Sequence, residues 1–154
     1  MRFLRASLLI ALAAVAHGAA ATPDDLPTFK PGLWSFSLTV NHYGEKDPQV
    51  RTMTRCADPG EEIRKKWRSL AMQACQFSPV KHTGNSWSYT SSCNNQGRTV
   101  QMKSLIIVNK DNSYRSETQS HTLSQASREI VVARRVSDCP DAGGAAKTAP
   151  AVKE

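Results

Sequence analysis

"CQFSPVKHTGNSWSYTSSC", residues 75–93, carries a cysteine at each end and Gly84 at its centre. Two strand-like runs, "CQFSPVK" and "SWSYTSSC", flank "HTGN". A short glycine-containing connection between two such runs predicts a β-hairpin. A fold-back centred on Gly84 sets Lys81 opposite Trp87, Pro79 opposite Tyr89 and Cys75 opposite Cys93. Directly opposed residues of an antiparallel pair have Cα atoms about 4.5–5.5 Å apart. A disulfide accepts a Cα separation of about 4.4–6.8 Å, so the register itself brings the two thiols into bonding range. Pro79 donates no ladder hydrogen bond, which predicts an edge or a bulge at that point.

Two further cysteines, Cys56 and Cys139, complete an even set of four. Neither a C-x-x-C pair nor any other close Cys/His pairing is present, which argues against structural zinc and against a thioredoxin-like redox motif. Four cysteines allow three pairings, and Cys75–Cys93 with Cys56–Cys139 ties the hairpin and then the two ends of the domain. Such a framework belongs to an oxidising compartment.

The N-terminus points the same way. "MRFLRASLLIALAAVAHGAAATPDD" opens on Arg2 and Arg5, continues through an apolar run from Leu8 to Ala16, and leaves through small residues. That is the layout of a cleaved secretory leader. The run is too short for a membrane helix, which needs about 20 apolar residues. Ala19 and Ala21 satisfy the cleavage pattern, so residues 1–21 are expected to be removed, with the cut between Ala20 and Thr22. No cysteine stands near that point to accept a lipid anchor. The net charge of +7 includes Arg2 and Arg5, so the mature chain is less basic. Residues 22–139 suffice for one β-rich domain and not two. The Ala-, Gly- and Pro-rich residues 140–154 bury too little apolar surface to offset their ordering entropy, and a disordered tail is expected there.

Within the domain, "LWSFSLTVN" (33–41) alternates strictly. Trp34, Phe36, Leu38 and Val40 take one face and Ser35, Ser37, Thr39 and Asn41 the other, which is a half-buried antiparallel strand. "VRTMTRC" follows a turn-rich stretch as its hairpin partner. After Cys56, Asp58 is a fitting N-cap, Pro59 suits the first turn and Glu61 completes a capping-box spacing. Ile63, Trp67, Leu70, Ala71 and Ala74 then share one helical face. "RTVQMKSLIIVN" and "SYRSETQSHTL" flank the turn "KDN", and "SREIVVARRVSDC" sets Ile130, Val132 and Val136 on one face. The fold class expected is mainly β: an antiparallel meander of about seven strands with one amphipathic helix, disulfide-stapled, with strong curvature or a barrel-like form left open as an alternative.

These elements, in this order, resemble a family of exported bacterial proteins known as domain of unknown function 3617. "KPGLW" opening the first strand, "TRCADP" before the helix, the paired-cysteine hairpin and the terminal "VSDC" carry the resemblance, which spans roughly residues 29 to 139. Many relatives have a Met- and Pro-rich loop after the first strand, where this chain has "HYGEKDPQ". The resemblance implies an exported β domain, and implies no activity and no catalytic residues.

The residues themselves point away from catalysis. His42, His82 and His121 lie in no motif of the G-x-S-x-G or H-E-x-x-H kind. No glycine-rich phosphate loop is present, and the serines are accounted for as the solvent face of a sheet. No metal, no cofactor and no enzymatic activity are expected. Nucleic acid is not expected as a partner, since the chain is exported and lacks an aromatic–basic recognition motif. Arg64, Lys65 and Arg68 form a candidate basic patch for an acidic envelope polymer or membrane surface. Against that stands pairing of Glu61 and Glu62 with Lys65 and Lys66 at i,i+4. Trp34, Phe36, Leu38 and Val40 line either a filled core or a cup for a small apolar ligand. The expectation is an exported, periplasmic protein that binds or supports structure in the cell envelope.

Overall fold

A computed structural model describes residues 25–140 except Ala74 and Gln96. The expected leader at 1–21 and the expected tail beyond Pro140 lie outside the described residues. Eight strands and one helix follow in the order β1 (Gly32–His42), β2 (Gln49–Ala57), α1 (Pro59–Met72), β3 (Gln76–Phe77), β4 (Lys81–Thr83), β5 (Ser86–Asn95), β6 (Arg98–Val108), β7 (Ser113–His121) and β8 (Ala126–Ser137). They build one antiparallel sheet ordered β2-β1-β8-β7-β6-β5-β3, with β4 also paired to β5. The sheet is open. β2 forms one edge and the short strands β3 and β4 the other, so the barrel-like closure is not found. Nor is it a plain meander, because α1 carries the chain from the β2 edge to the opposite edge and only β4 to β8 run back consecutively.

The hairpin of residues 75–93 forms with a corrected register. Near its turn Lys81 pairs Ser88, His82 pairs Trp87 and Thr83 pairs Ser86. This leaves a two-residue connection, Gly84–Asn85, with Gly84 at φ 60, the sign that a type II′ turn demands of its first central residue. Lys81 therefore does not face Trp87. Beyond Pro79 the register moves by one residue, to Gln76 opposite Ser92 and Phe77 opposite Ser91. A one-residue slip would turn every later side chain to the other face. The break between β3 and β4 absorbs it, with Ser78 N–H donating to Thr90 O at 3.0 Å and Thr90 N–H donating to Ser78 Oγ at 3.0 Å. Cys75 and Cys93 still form a disulfide, at a Cα separation of 4.2 Å.

Cys56 and Cys139 form the second disulfide, at a Cα separation of 5.7 Å. The chain-entropy model credits the two bonds, spanning separations of 18 and 83 residues, with roughly 3 and roughly 4.5 kcal/mol. Cys56 stands just before α1 and Cys75 just after it, so each end of the helix is bonded to the sheet.

α1 starts as its sequence dictates. Asp58 caps it through Oδ1, which accepts from Glu61 N–H at 3.1 Å, and Pro59 fills the first turn. Trp67 is buried, stacks on Phe77 with centroids 3.9 Å apart and meets Tyr89 edge-on at 4.7 Å. Its Nε1 finds no hydrogen-bond partner among the described residues.

The main core lies at the start of β1. Trp34 is fully buried among Phe29, Phe36 and Tyr114, at centroid distances of 6.0, 6.4 and 6.1 Å. Its indole N–H donates to Lys30 O at 3.2 Å. Ile106, Val108 and Ala133 complete the cluster. Gly32 is required there, because a Cβ would meet Ser137 O at 2.5 Å where β8 closes on β1. On β8 the buried face is that of Val131 and Ala133, and the face of Val132 and Val136 is exposed, the reverse of the sequence reading. The alternation there is blurred by "IVVA", which is apolar at both parities.

Truncating a packed tryptophan costs about 3–5 kcal/mol, against a total stability of about 5–15 kcal/mol for a domain. Trp34→Ala is therefore expected to melt far below the native protein or fail to accumulate. A native-like melting temperature would place the core elsewhere.

Candidate functional site

Packing α1 across the sheet does not fill the space beneath it. A cavity of about 160 Å³ lies between Pro59, Glu62, Ile63 and Lys66 of the helix and the inner face of β5, β6, β7 and β8. Register explains its lining. Tyr89 pairs Ser104, Ser104 pairs Thr118 and Thr118 pairs Glu129, while Trp87 pairs Ile106, Ile106 pairs Ser116 and Ser116 pairs Val131. Residues paired across neighbouring strands share a face, so these two rows run side by side beneath the helix. One is hydroxyl-rich and ends on a carboxylate; the other is mostly apolar.

Ser104 is buried, and its hydroxyl lies 3.3 Å from that of Thr118. Burial pushes the Tyr89 phenol above its ordinary pKa, partly offset by a hydrogen bond with Ser104. Tyr114 is pushed up to about 12, first by burial and then by the Glu62 carboxylate, with Arg55 opposing. Both phenols are thus neutral hydroxyls at physiological pH. Arg55 holds Glu62 in a bidentate pair at 2.5 and 2.8 Å. At the other side Lys66 Nζ stands 3.7 Å from Glu129 Oε1, joining helix to sheet in a largely exposed pair. The cavity therefore offers hydroxyl donors and acceptors beside aliphatic carbon, with charge near its margins.

The predicted site residues separate. Trp34 and Phe36 belong to the filled core, Leu38 and Val40 are half-buried, and none of the four lines this cavity. On the helix Arg64 pairs Glu61 at 2.9 Å and Arg68 reaches the same carboxylate at 3.4 Å. The expected i,i+4 pairs do not form, because Glu62 turns to Arg55 on β2 and Lys66 to Glu129 on β8. Lys65 is exposed. His82 stacks on Trp87 at 4.2 Å and its Nε2 bonds Gly84 O, while His121 Nε2 lies 2.9 Å from Gln101 Oε1. Among the described residues no three His, Cys, Asp or Glu side chains converge as a metal site, and no helix is long and apolar enough to cross a membrane.

Sequence reasoning missed the cavity residues because it assigned the serines to solvent. Ser104 and Ser91 are buried on the inner face. The available signal was the spacing of Tyr114, Ser116, Thr118 and Ser120 on β7, small hydroxyls at the parity of a buried tyrosine.

A phenol whose folded pKa is raised contributes stability that is complete below roughly pH 10 and is lost as pH climbs toward its folded value. For Tyr114 that window ends at about 12. Its contribution to the alkaline slope is about 1.4 kcal/mol per pH unit. Denaturant titrations of Tyr114→Phe across the window should show a shallower slope than the native protein. An unchanged slope would show that Tyr114 ionises as freely folded as unfolded.

No curated protein and no solved structure matches the chain. A family model does: the protein of unknown function family DUF3617 matches residues 29–139, from Phe29 in the core to Cys139 in the second disulfide, and the chain belongs to that family.

Proposed function

We propose that the protein is an exported, non-enzymatic binding module of the cell envelope, working in the periplasm, with its ligand seat in the cavity under α1. The observation that carries this reading is the lining of that cavity. A helix whose purpose was only to cover a sheet would press aliphatic side chains onto aliphatic side chains, as packed interiors do. Here Ser104, Ser116 and Thr118 face the helix, and about 160 Å³ stays unfilled. That is the volume of about five molecules of liquid water. A small polar molecule fits it, held by hydroxyls with one apolar side against Ile106 and Val131. The apolar-ligand cup built on Trp34 is not supported, since that tryptophan packs on three aromatic rings.

Two disulfides support export, because such bonds persist in oxidising compartments. The leader-like residues 1–21 support export as well. His82 bonds a main-chain carbonyl and His121 a glutamine, so among the described residues neither is paired with a carboxylate that would orient it as a base, which supports a non-enzymatic role.

Thermal melts of the periplasmic protein against a panel of monosaccharides, amino acids and small carboxylates test the seat. Saturation at a hundredfold excess over Kd stabilises by about 2.7 kcal/mol. One chemical class should therefore raise the melting temperature by several degrees. Ser116→Leu, which fills the cavity, should abolish that rise without lowering the ligand-free melting temperature. A flat panel, together with a Ser116→Leu variant more stable than the native protein, would reduce the cavity to a packing fault.

A further inference from the structure

The sheet ends at one side in three neighbouring turns, β1–β2, β5–β6 and β7–β8, and two of them present a large apolar side chain to solvent. The β7–β8 turn presents Leu123 at 109% relative exposure, and the β1–β2 turn presents Tyr43 at 74%. These turns touch, since Tyr43 N–H donates to Ala126 O at 3.0 Å. Met72, 82% exposed, ends α1 at the same side, where the Cys75–Cys93 bond fixes the helix beside the β5–β6 turn. Leu123 is held outward by a built turn. Thr122 N–H donates to Gln125 O at 2.8 Å, and Thr122 Oγ1 accepts from Ser124 N–H at 3.3 Å and from Gln125 N–H at 3.0 Å.

Between the β5–β6 and β7–β8 turns lies a cleft of about 650 Å³. Arg98, Gln101, His121 and Thr122 are among its walls, Leu123 stands at its side, and among the described residues no carboxylate lines it. Among the described residues no carboxylate lies within salt-bridge distance of Arg98, unlike Arg64 and Arg68 on α1. The acidic residues of this end, Glu45 and Asp47, flank Lys46 on the Tyr43 turn and not the cleft.

We propose that this turn-bearing end docks on an anionic phospholipid surface, with Leu123 and Tyr43 entering the interface and Arg98 meeting a headgroup phosphate. A protein partner would want a contiguous apolar centre with a polar rim. Leu123 and Tyr43 on two separate turns, with Met72 at the end of α1, make no such centre, but they suit an interface that closes around each one. Leucine and tyrosine beside cations are the side chains that settle at the headgroup boundary. The basic surface read from the sequence of α1 thus moves to the turns, because Glu61 occupies Arg64 and Arg68.

Co-sedimentation of the periplasmic protein with vesicles of phosphatidylglycerol and phosphatidylethanolamine tests this, with phosphatidylcholine vesicles and lipid-free dextran sulfate as comparisons. Binding to the anionic vesicles, weakened by salt, is expected. Leu123→Ser should cut partitioning roughly tenfold or more, the worth of one leucine leaving water. Arg98→Gln should cut it about fivefold. The pair Arg64→Gln and Arg68→Gln should leave it unchanged. Leu123 has no packing to lose, so an unchanged melting temperature for Leu123→Ser separates lost docking from lost folding. Native protein that stays in the supernatant overturns the proposal. So does binding insensitive to Leu123→Ser, a loss that follows Arg64 and Arg68 instead, or equal capture by dextran sulfate.

Discussion

A helix bonded at both ends to the sheet it crosses is the constraint on which the rest of this structure depends. α1 leaves one edge of the sheet and arrives at the other, so it cannot follow a hairpin path and must bridge every central strand. Its apolar contribution is small, chiefly Trp67, with Ile63 half-buried. A fourteen-residue helix with so little buried surface would be marginal in water by itself. Covalent attachment replaces that missing surface: Cys56–Cys139 fixes the entry to α1 and Cys75–Cys93 its exit. Polar links between them, Arg55–Glu62 and Lys66–Glu129, set the helix over β2 and β8. Exposed pairs of this kind contribute about 0–1 kcal/mol each, so they orient the helix more than they hold it.

Because the staples carry the helix, the sheet beneath it is free to be polar. The inner face divides along the strands. Toward the start of β1 it is aromatic and aliphatic, with Phe29, Trp34, Phe36 and Tyr114 packed as a core. Farther along it turns to hydroxyls, where Ser120 and Ser127 bond at 2.7 Å and Ser104 meets Thr118. An ordinary helix-on-sheet layer could not tolerate that second region, since unfilled or polar contact under a helix gives up the burial that usually keeps it in place. Here the serines and threonine of the cavity do not compete with the core for the same surface.

How far the sequence disclosed this depends on whether a feature was local. The β1 alternation, the Asp58–Pro59 helix start and both disulfides were legible, since each rests on a short pattern or on counting four cysteines. The register near Gly84 was misjudged by one residue, because a turn of two residues and one of three both place Gly84 inside, and only the break at Pro79 restores Cys75 to Cys93. The strand order was not legible: nothing in β1 or β8 announces that they pair, and Gly32 shows its purpose only when Ser137 O stands against it. The cavity was hidden for the same reason. Serine at alternate positions fits solvent or a polar interior equally well until the helix is placed over one face.

The two edges of the sheet show how differently an open sheet can be guarded. An exposed edge offers unpaired amides to any passing strand. At one side the chain uses brevity: β3 has two residues, β4 has three, and Pro79 lies between them with no amide to give. At the other side β2 is nine residues long and exposed through eight of them, with no proline and no glycine. Its guard is charge and covalent closure. Arg51 and Arg55 project from the strand that a second strand would have to approach, and Arg55 lies over the Phe36 ring at 4.8 Å. Cys56 at the end of β2 is bonded to Cys139 beyond β8, so the edge cannot peel away and swap. The same bond that anchors the helix therefore also protects the longest edge, which ties the integrity of the sheet to an oxidising compartment.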